Sequence, residues 1–308
     1  MNTKLSFSRG RCRLCLEDAE LQKSHLIPAA VLRSLHSGGK DATSITAERM
    51  IQTSRQFQAH LLCRACEERL NKGGETWVLK HMARQHPRTE FPLLDLLGEA
   101  VIPGSSNDDG RTWDTTRALK VDTSRLAYFA ISMLWRVSIH DWKGVDGYMR
   151  RLHLGPYGEP IRQFLLGTGP FPRHCFVRVV LWPERDSVLW GTYIPRRDSE
   201  RRFYFYSYYL PGITFYMYVG KRVPPELRQT CCISGPLKPI FTSRYMARQT
   251  ESLLKQLYEY PRTQPVRPGY ARIDFLFQFL LQRMQIGLTA KLRGNITKCL
   301  IVAFILLS

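Results

Sequence analysis

Between residues 124 and 140 apolar side chains recur every three to four positions, at Leu126, Phe129, Met133 and Val137, which is the repeat of one helix face. Ser124 stands at the N-cap position of this helix, and Trp135 and Trp142 lie close enough in sequence to pack on it. A tryptophan and methionine stripe at this spacing reads as core. Shorter helices are predicted over residues 29–35, from Cys66 toward Lys72 with a stop at Gly73-Gly74, and over 75–97 with breaks at Pro87 and Pro92. Another is predicted over 145–152, and residues 50–62 supply the strands of a β-hairpin.

Further along, the pattern turns to strands. Segments 175–182 and 187–194 are rich in valine and aromatics and are separated by Pro183-Glu184-Arg185-Asp186, while 203–210 and Ile213–Val219 flank a Pro211-Gly212 turn. These four segments predict an antiparallel meander, and the helices before it make the class α+β. The loop Pro103-Gly104-Ser105-Ser106-Asn107-Asp108-Asp109-Gly110 divides the chain into an N-terminal module over residues 1–100 and an α+β domain over 111–260. Residues 261–308 form a basic, apolar tail, with a short helix expected at 250–258 just before it.

Composition and charge add a partner class. A hydrophobic content of 44% is ample for a core, and a net charge of +19 with a pI near 9.8 implies a polyanion: nucleic acid or an anionic membrane surface. An arginine-rich proteome would give the same charge without any partner. Arg196-Arg197 and Arg201-Arg202 precede strands carrying Tyr204, Tyr206, Tyr208 and Tyr209, as in a platform for unpaired bases, although a tyrosine-rich core sheet has the same composition. The apolar run at 299–307 is too short to span a membrane as a helix; it suits contact with an anionic membrane, a buried last element or a segment outside the domain. The first ten residues lack an apolar signal region, and the cysteine pattern suits a reduced, cytoplasmic compartment. Glycine loops for nucleotides and a Ser-His-Asp arrangement are not legible, and the oligomeric state stays open.

The chemistry concentrates in the first seventy or so residues. Cys12-Arg13-Leu14-Cys15 and Cys63-Arg64-Ala65-Cys66 are two C-x2-C knuckles, each able to present two thiolates to one tetrahedral Zn²⁺ at about 2.3 Å. Arg11, Arg13 and Arg64 would offset the charge of a four-thiolate centre. Four ordinary thiols are the alternative. Cys231-Cys232 is read as two unrelated thiols, because a vicinal disulfide is strained.

The order of knuckle, Ser24-His25-Leu26-Ile27-Pro28 and Leu61-Leu62-Cys63-x-x-Cys66-Glu67 resembles the HNH, or ββα-metal, nuclease superfamily in its zinc-stabilised form. It is similar in particular to a bacterial HNH-like group in which S-H-I-I-P and C-x-x-C-E recur, and the likeness covers about residues 11–80. The resemblance implies a treble-clef module, structural zinc, and an endonuclease in which His25 is the general base and Glu67 helps hold a catalytic Mg²⁺ or Mn²⁺. It also implies nucleic acid as partner, DNA ahead of RNA. Three positions depart from the pattern: Ser24 replaces an acidic metal ligand, Glu67 stands where the second metal ligand is a histidine, and Gln58, with His60 nearby, replaces an asparagine. Glu68 or Glu75 could compensate as hard oxygen ligands. The alternatives are that His25 is structural or a zinc ligand, that Glu67 is a helix-start carboxylate, and that the chain is a catalytically degenerate zinc-finger module for nucleic-acid binding or interaction. Convergence of Ser24 and Glu67 with His25 on one water-accessible point would favour the enzyme.

Overall fold

A computed structural model of the chain describes residues 8–35, 43–45, 50–52, 56–85, 88–144, 147–149, 151–185, 188, 190–198, 203–245, 247–248 and 304–305. The helix expected at 250–258, and the tail apart from 304–305, lie outside these residues. The fold is mixed α+β with antiparallel sheets.

The N-terminal region is built on β1 (Ser8–Arg11), β2 (Asp18–His25) and β3 (Gln58–Cys63), an antiparallel sheet in that order, with α1 (Ala29–Ser34) following β2. Helix α2 (Arg64–Leu70) follows β3 directly. Of the strands expected within 50–62, only the segment starting at Gln58 joins this sheet; Met50–Gln52 pairs with Thr43–Ile45. In register, Leu21 faces Cys63 and His25 faces Gln58. One end of the β2–β3 pair therefore lies at the cysteines and the other at the histidine.

Gly73 and Gly74 do not end the helix that starts at Arg64. Helix α2 runs through a π-turn, Asn71–Glu75, into α3 (Thr76–His81). The glycines instead admit a neighbour. Helix α5 (Thr123–Ser138), which follows α4 (Pro92–Leu97), passes so close that a Cβ on Gly74 would sit 2.6 Å from the carbonyl oxygen of Arg125 and 2.9 Å from the backbone nitrogen of Phe129. A Cβ on Gly73 would meet the Tyr128 ring, whose hydroxyl donates to Leu165 O at 2.8 Å and is thereby pinned.

Helix α5 is the central element, buried over nearly its whole length from Leu126 to Val137. Its cap is Asp122, whose side chain accepts from the Arg125 backbone N–H at 2.9 Å; Ser124, the expected cap, is already inside the first turn. The helix expected over 145–152 is replaced by a short hairpin, Trp142–Gly144 against Gly147–Met149. The tryptophan and tyrosine with glycines at the turn suit strands better than a helix.

Beyond α6 (Gly158–Leu166) come β4 (Cys175–Leu181), β5 (Gly191–Asp198), β6 (Tyr204–Leu210) and β7 (Ile213–Val219), then α7 (Pro225–Gln229) and β8 (Ile240–Thr242). The topology departs from a simple meander. The strand order is β5-β6-β7-β4-β8, so the first of the four expected strands pairs with the last, as in a Greek key. Thr112–Trp113 extends the sheet beyond β8, and Phe304–Ile305 lies against β5 on the opposite side.

One face of the sheet packs on α5, with Phe129 edge-on to Tyr208 and Phe215 at 6.1 and 5.9 Å. On the other face Phe176, Phe205 and Tyr218 form a second cluster with Val223 and Cys231, with Leu227 of α7 packed against it. Most rings expected to stack on unpaired bases are therefore interior, including Tyr206, Tyr208 and Tyr209. Cys231 and Cys232 belong to different clusters and are free thiols. The 103–110 loop is tied down, with Asp109 accepting from the Ser243 hydroxyl at 2.9 Å, and one core cluster runs from Cys12 to Ala247 across it. Among the described residues, no helix is long and apolar enough to cross a membrane.

Replacing a helical glycine by alanine ordinarily stabilises by about 1 kcal/mol. Here the clash with rigid backbone reverses the sign, and Gly74→Ala is expected to cost about 1–3 kcal/mol, read as a lowered urea midpoint against a Lys72→Ala control. An unchanged or raised midpoint would show that α5 does not approach this closely.

Candidate metal centre and the buried charge cluster beside it

Tight turns hold the first knuckle. The Cys12 N–H donates to Glu17 O at 2.8 Å, Leu16 N–H donates back to Cys12 O at 2.9 Å, and Leu16 takes a positive φ of 68° to close the turn. Arg13 N–H donates to Leu61 O at 2.9 Å, which fastens the knuckle to β3. The second pair sits where β3 becomes α2: Cys63 is extended, and Cys66 lies in the first helical turn, where the helix dipole favours a thiolate.

All four sulfurs lie within 4.8 Å of one another. Cys15 Sγ and Cys63 Sγ are 3.9 Å apart, close to the edge of about 3.8 Å that a tetrahedron with metal–sulfur bonds of about 2.3 Å would have. Burial alone would raise the Cys12 thiol, but the N–H groups of Cys63, Cys15 and Leu14 outweigh it and bring the pKa down to about 7. Burial and the neighbouring thiols push Cys66 up. Four buried or half-buried sulfurs competing over protons are stabilised together by one cation, and this donor set fits a metal ion such as zinc. His25 is not part of this group.

A second polar centre lies nearby. Glu67, in the first turn of α2, and Glu75, in the π-turn, are eight residues apart in sequence, about 80° round a regular α-helix. The extra residue of a π-turn makes that separation behave as seven, about 20°, so the two carboxylates share a face. Arg136 of α5 meets them there. Its Nη1 lies 3.0 Å from Glu75 Oε2 and its Nη2 3.8 Å from Glu67 Oε2, and Nη1 also donates to the His25 carbonyl at 3.3 Å. The Arg136 side chain is 4% exposed, against 19% and 14% for the two glutamates.

Half-buried His25 closes this centre at the end of β2. Its Nε2 lies 2.7 Å from Gln58 Nε2, which also donates to Gln56 Oε1 at 3.0 Å, so the Gln58 amide takes up the imidazole lone pair. Burial lowers the His25 pKa and Arg136 adds to this, outweighing Glu67, the Gln56 side chain and Glu75, which favours the uncharged ring. Ser24 does not converge with these groups. Adjacent strand residues point to opposite faces, and Ser24 is buried with its hydroxyl turned toward Gln22 O at 3.5 Å. His60, also near the motif, is exposed and contacts Leu21 O at 3.1 Å, and Glu68 is exposed and pairs with Arg64 at 3.2 Å.

Beneath the cluster stands Tyr208, fully buried, its ionisation pushed well up by burial and further by Glu75. Glu67 Oε1, Glu75 Oε2, Arg136 Nε and the Tyr208 hydroxyl lack a well-aligned hydrogen bond among the described residues. Neither Arg136 nor Tyr208 was among the residues expected at the site. The one available signal was that Arg136 is the sole charge in residues 126–138.

Comparison of the chain with family models, with curated proteins and with solved structures finds no match.

Two outcomes follow from this geometry. Purified chain should carry zinc, and Cys12→Ser or Cys66→Ser should abolish stoichiometric zinc in elemental analysis and lower the melting temperature; full zinc retention in both variants would contradict a four-cysteine site. Arg136→Met leaves two carboxylates buried without their cation and is expected to cost about 3–5 kcal/mol in urea unfolding. Adding Glu67→Gln and Glu75→Gln to that variant should recover part of the loss, whereas an unaffected single variant would show that the pairing carries little.

Proposed function

We propose that the chain is a zinc-scaffolded, HNH-like nucleic-acid-binding protein whose treble-clef module holds a polyanion without hydrolysing it. The observation that carries this reading is the position of Arg136, within 4 Å of both Glu67 and Glu75. A catalytic dication in an HNH-type centre needs carboxylate and imidazole ligands that converge and are free. In this chain Ser24 faces away, the two carboxylates already have a counter-cation, and the His25 lone pair is engaged by Gln58. Seating Mg²⁺ or Mn²⁺ on Glu67 would require moving a buried guanidinium, at a cost of several kcal/mol. Among the described residues the four cysteines are the one group of His, Cys, Asp and Glu side chains close enough to hold an ion. The charge of +19 supports a nucleic-acid partner, DNA ahead of RNA.

A second reading, a metal-dependent endonuclease with His25 as general base, draws support from the half-buried imidazole, whose pKa burial lowers. Incubation of supercoiled plasmid with zinc-loaded protein and Mg²⁺ or Mn²⁺, beside gel-shift titrations over a range of salt, separates the two. Salt-sensitive retention without nicking is the expected result. Metal-dependent nicking that disappears in a zinc-replete His25→Ala variant would overturn it in favour of the nuclease.

A further inference from the structure

Although most of the aromatic sheet is interior, one end of it is not. There β4 begins, β7 ends and β6 begins, with Cys175, Val219 and Tyr204 in register. Tyr204, His174 and Tyr157 are half-buried, and the Tyr157 ring stands 6.1 Å from Tyr204 and 6.3 Å from His174, edge-on to both at 81°. The turn after β7 closes against them. Gly220 N–H donates to His174 O at 2.9 Å, and a Cβ on Gly220 would meet Phe203 at 3.0 Å and the Tyr157 hydroxyl at 4.0 Å.

Cations adjoin this sheet end in the sequence. Arg173 precedes His174, Lys221 and Arg222 follow Gly220, and all three are exposed and form no ion pair among the described residues. The backbone that presents Lys221 is braced from α7, since Arg228 donates to Val223 O at 2.8 Å and to Lys221 O at 3.3 Å. The nearby carboxylates do not cancel this charge: Glu159 is bound to Arg162 at 2.7 Å, which leaves exposed Glu226.

We infer that this sheet end is a subsite for single-stranded nucleic acid, where bases stack on Tyr157, His174 and Tyr204 and the phosphates lie along Arg173, Lys221 and Arg222. Partly exposed rings with cations beside them in sequence complement a chain that alternates flat bases and phosphates. A duplex keeps its base faces covered and could use only the cations. The inference rests on the nucleic-acid reading above and specifies which strand state that partner presents.

The test titrates the full zinc-loaded chain with a fluorescent oligothymidylate and with a duplex of equal length, at several salt concentrations. Tyr157→Leu with Tyr204→Leu keeps apolar bulk but removes stacking faces. It should weaken oligothymidylate binding by about five- to hundredfold per ring and leave duplex binding nearly unchanged. Changing Arg173, Lys221 and Arg222 to Ala, a surface substitution that spares the core, should lower the slope of log K against log salt by about 2, at about 0.7 per phosphate contact. If the wild type binds both forms but neither variant shifts the single-strand affinity or slope, the subsite is refuted and the broader reading stands. Equal losses on both forms in the ring variant, or heparin displacing the oligonucleotide with the ring variant unaltered, would mark an undifferentiated basic surface and also refute it. Failure of the wild type to retain any nucleic acid at low salt would remove both.

Discussion

The pairing of Arg136 with Glu67 and Glu75 is the constraint on which the rest of the molecule turns. A guanidinium 4% exposed cannot be left without anions, so wherever α5 goes the two carboxylates must follow. They sit on a helical segment that starts at the second cysteine pair. Bringing both to one face takes the π-turn at Asn71–Glu75, and bringing that face to α5 takes Gly73 and Gly74. The His25 carbonyl then completes the guanidinium's contacts. The histidine turn, the helix after the knuckle and the central helix are thus one electrostatic unit.

The cysteine cluster anchors the other end of that helical segment. Cys63 and Cys66 fix where α2 begins, and the Cys63 N–H points at Cys12 Sγ at 3.3 Å, so the two knuckles are joined before any metal is considered. From α6, Arg162 donates to Leu14 O at 2.5 Å inside the first knuckle and is held by Glu159. Metal binding at the cysteines and packing of the later helices are therefore mechanically connected.

Local features of this architecture were legible in the sequence and distant ones were not. The cysteines carry their meaning in a three-residue spacing, and α5 and the strand segments carry theirs in period. Gly73-Gly74 reads locally as a stop because their partner, Tyr128 and its neighbours, lies some fifty residues on. Arg136 reads as a lone charge in an apolar stripe until the fold places Glu67 and Glu75 around it. The strand order failed for the same reason: hairpins are local, whereas the pairing of β4 with β7 crosses two intervening strands. The tyrosines of β6 suit a binding platform and a core equally, and only the packing of α5 and of the second cluster decides that most are core, with the rings at one sheet end left at the surface.

The central claim is that Arg136 occupies the charge position a catalytic ion would otherwise fill. It is tested most directly by titrating zinc-loaded protein with Mn²⁺ and following free Mn²⁺ by electron paramagnetic resonance. The account predicts no stoichiometric uptake by the wild type. Tight binding of one Mn²⁺ per chain, lost on Glu67→Gln with the zinc retained, would contradict it and restore Glu67 as a ligand of a catalytic ion.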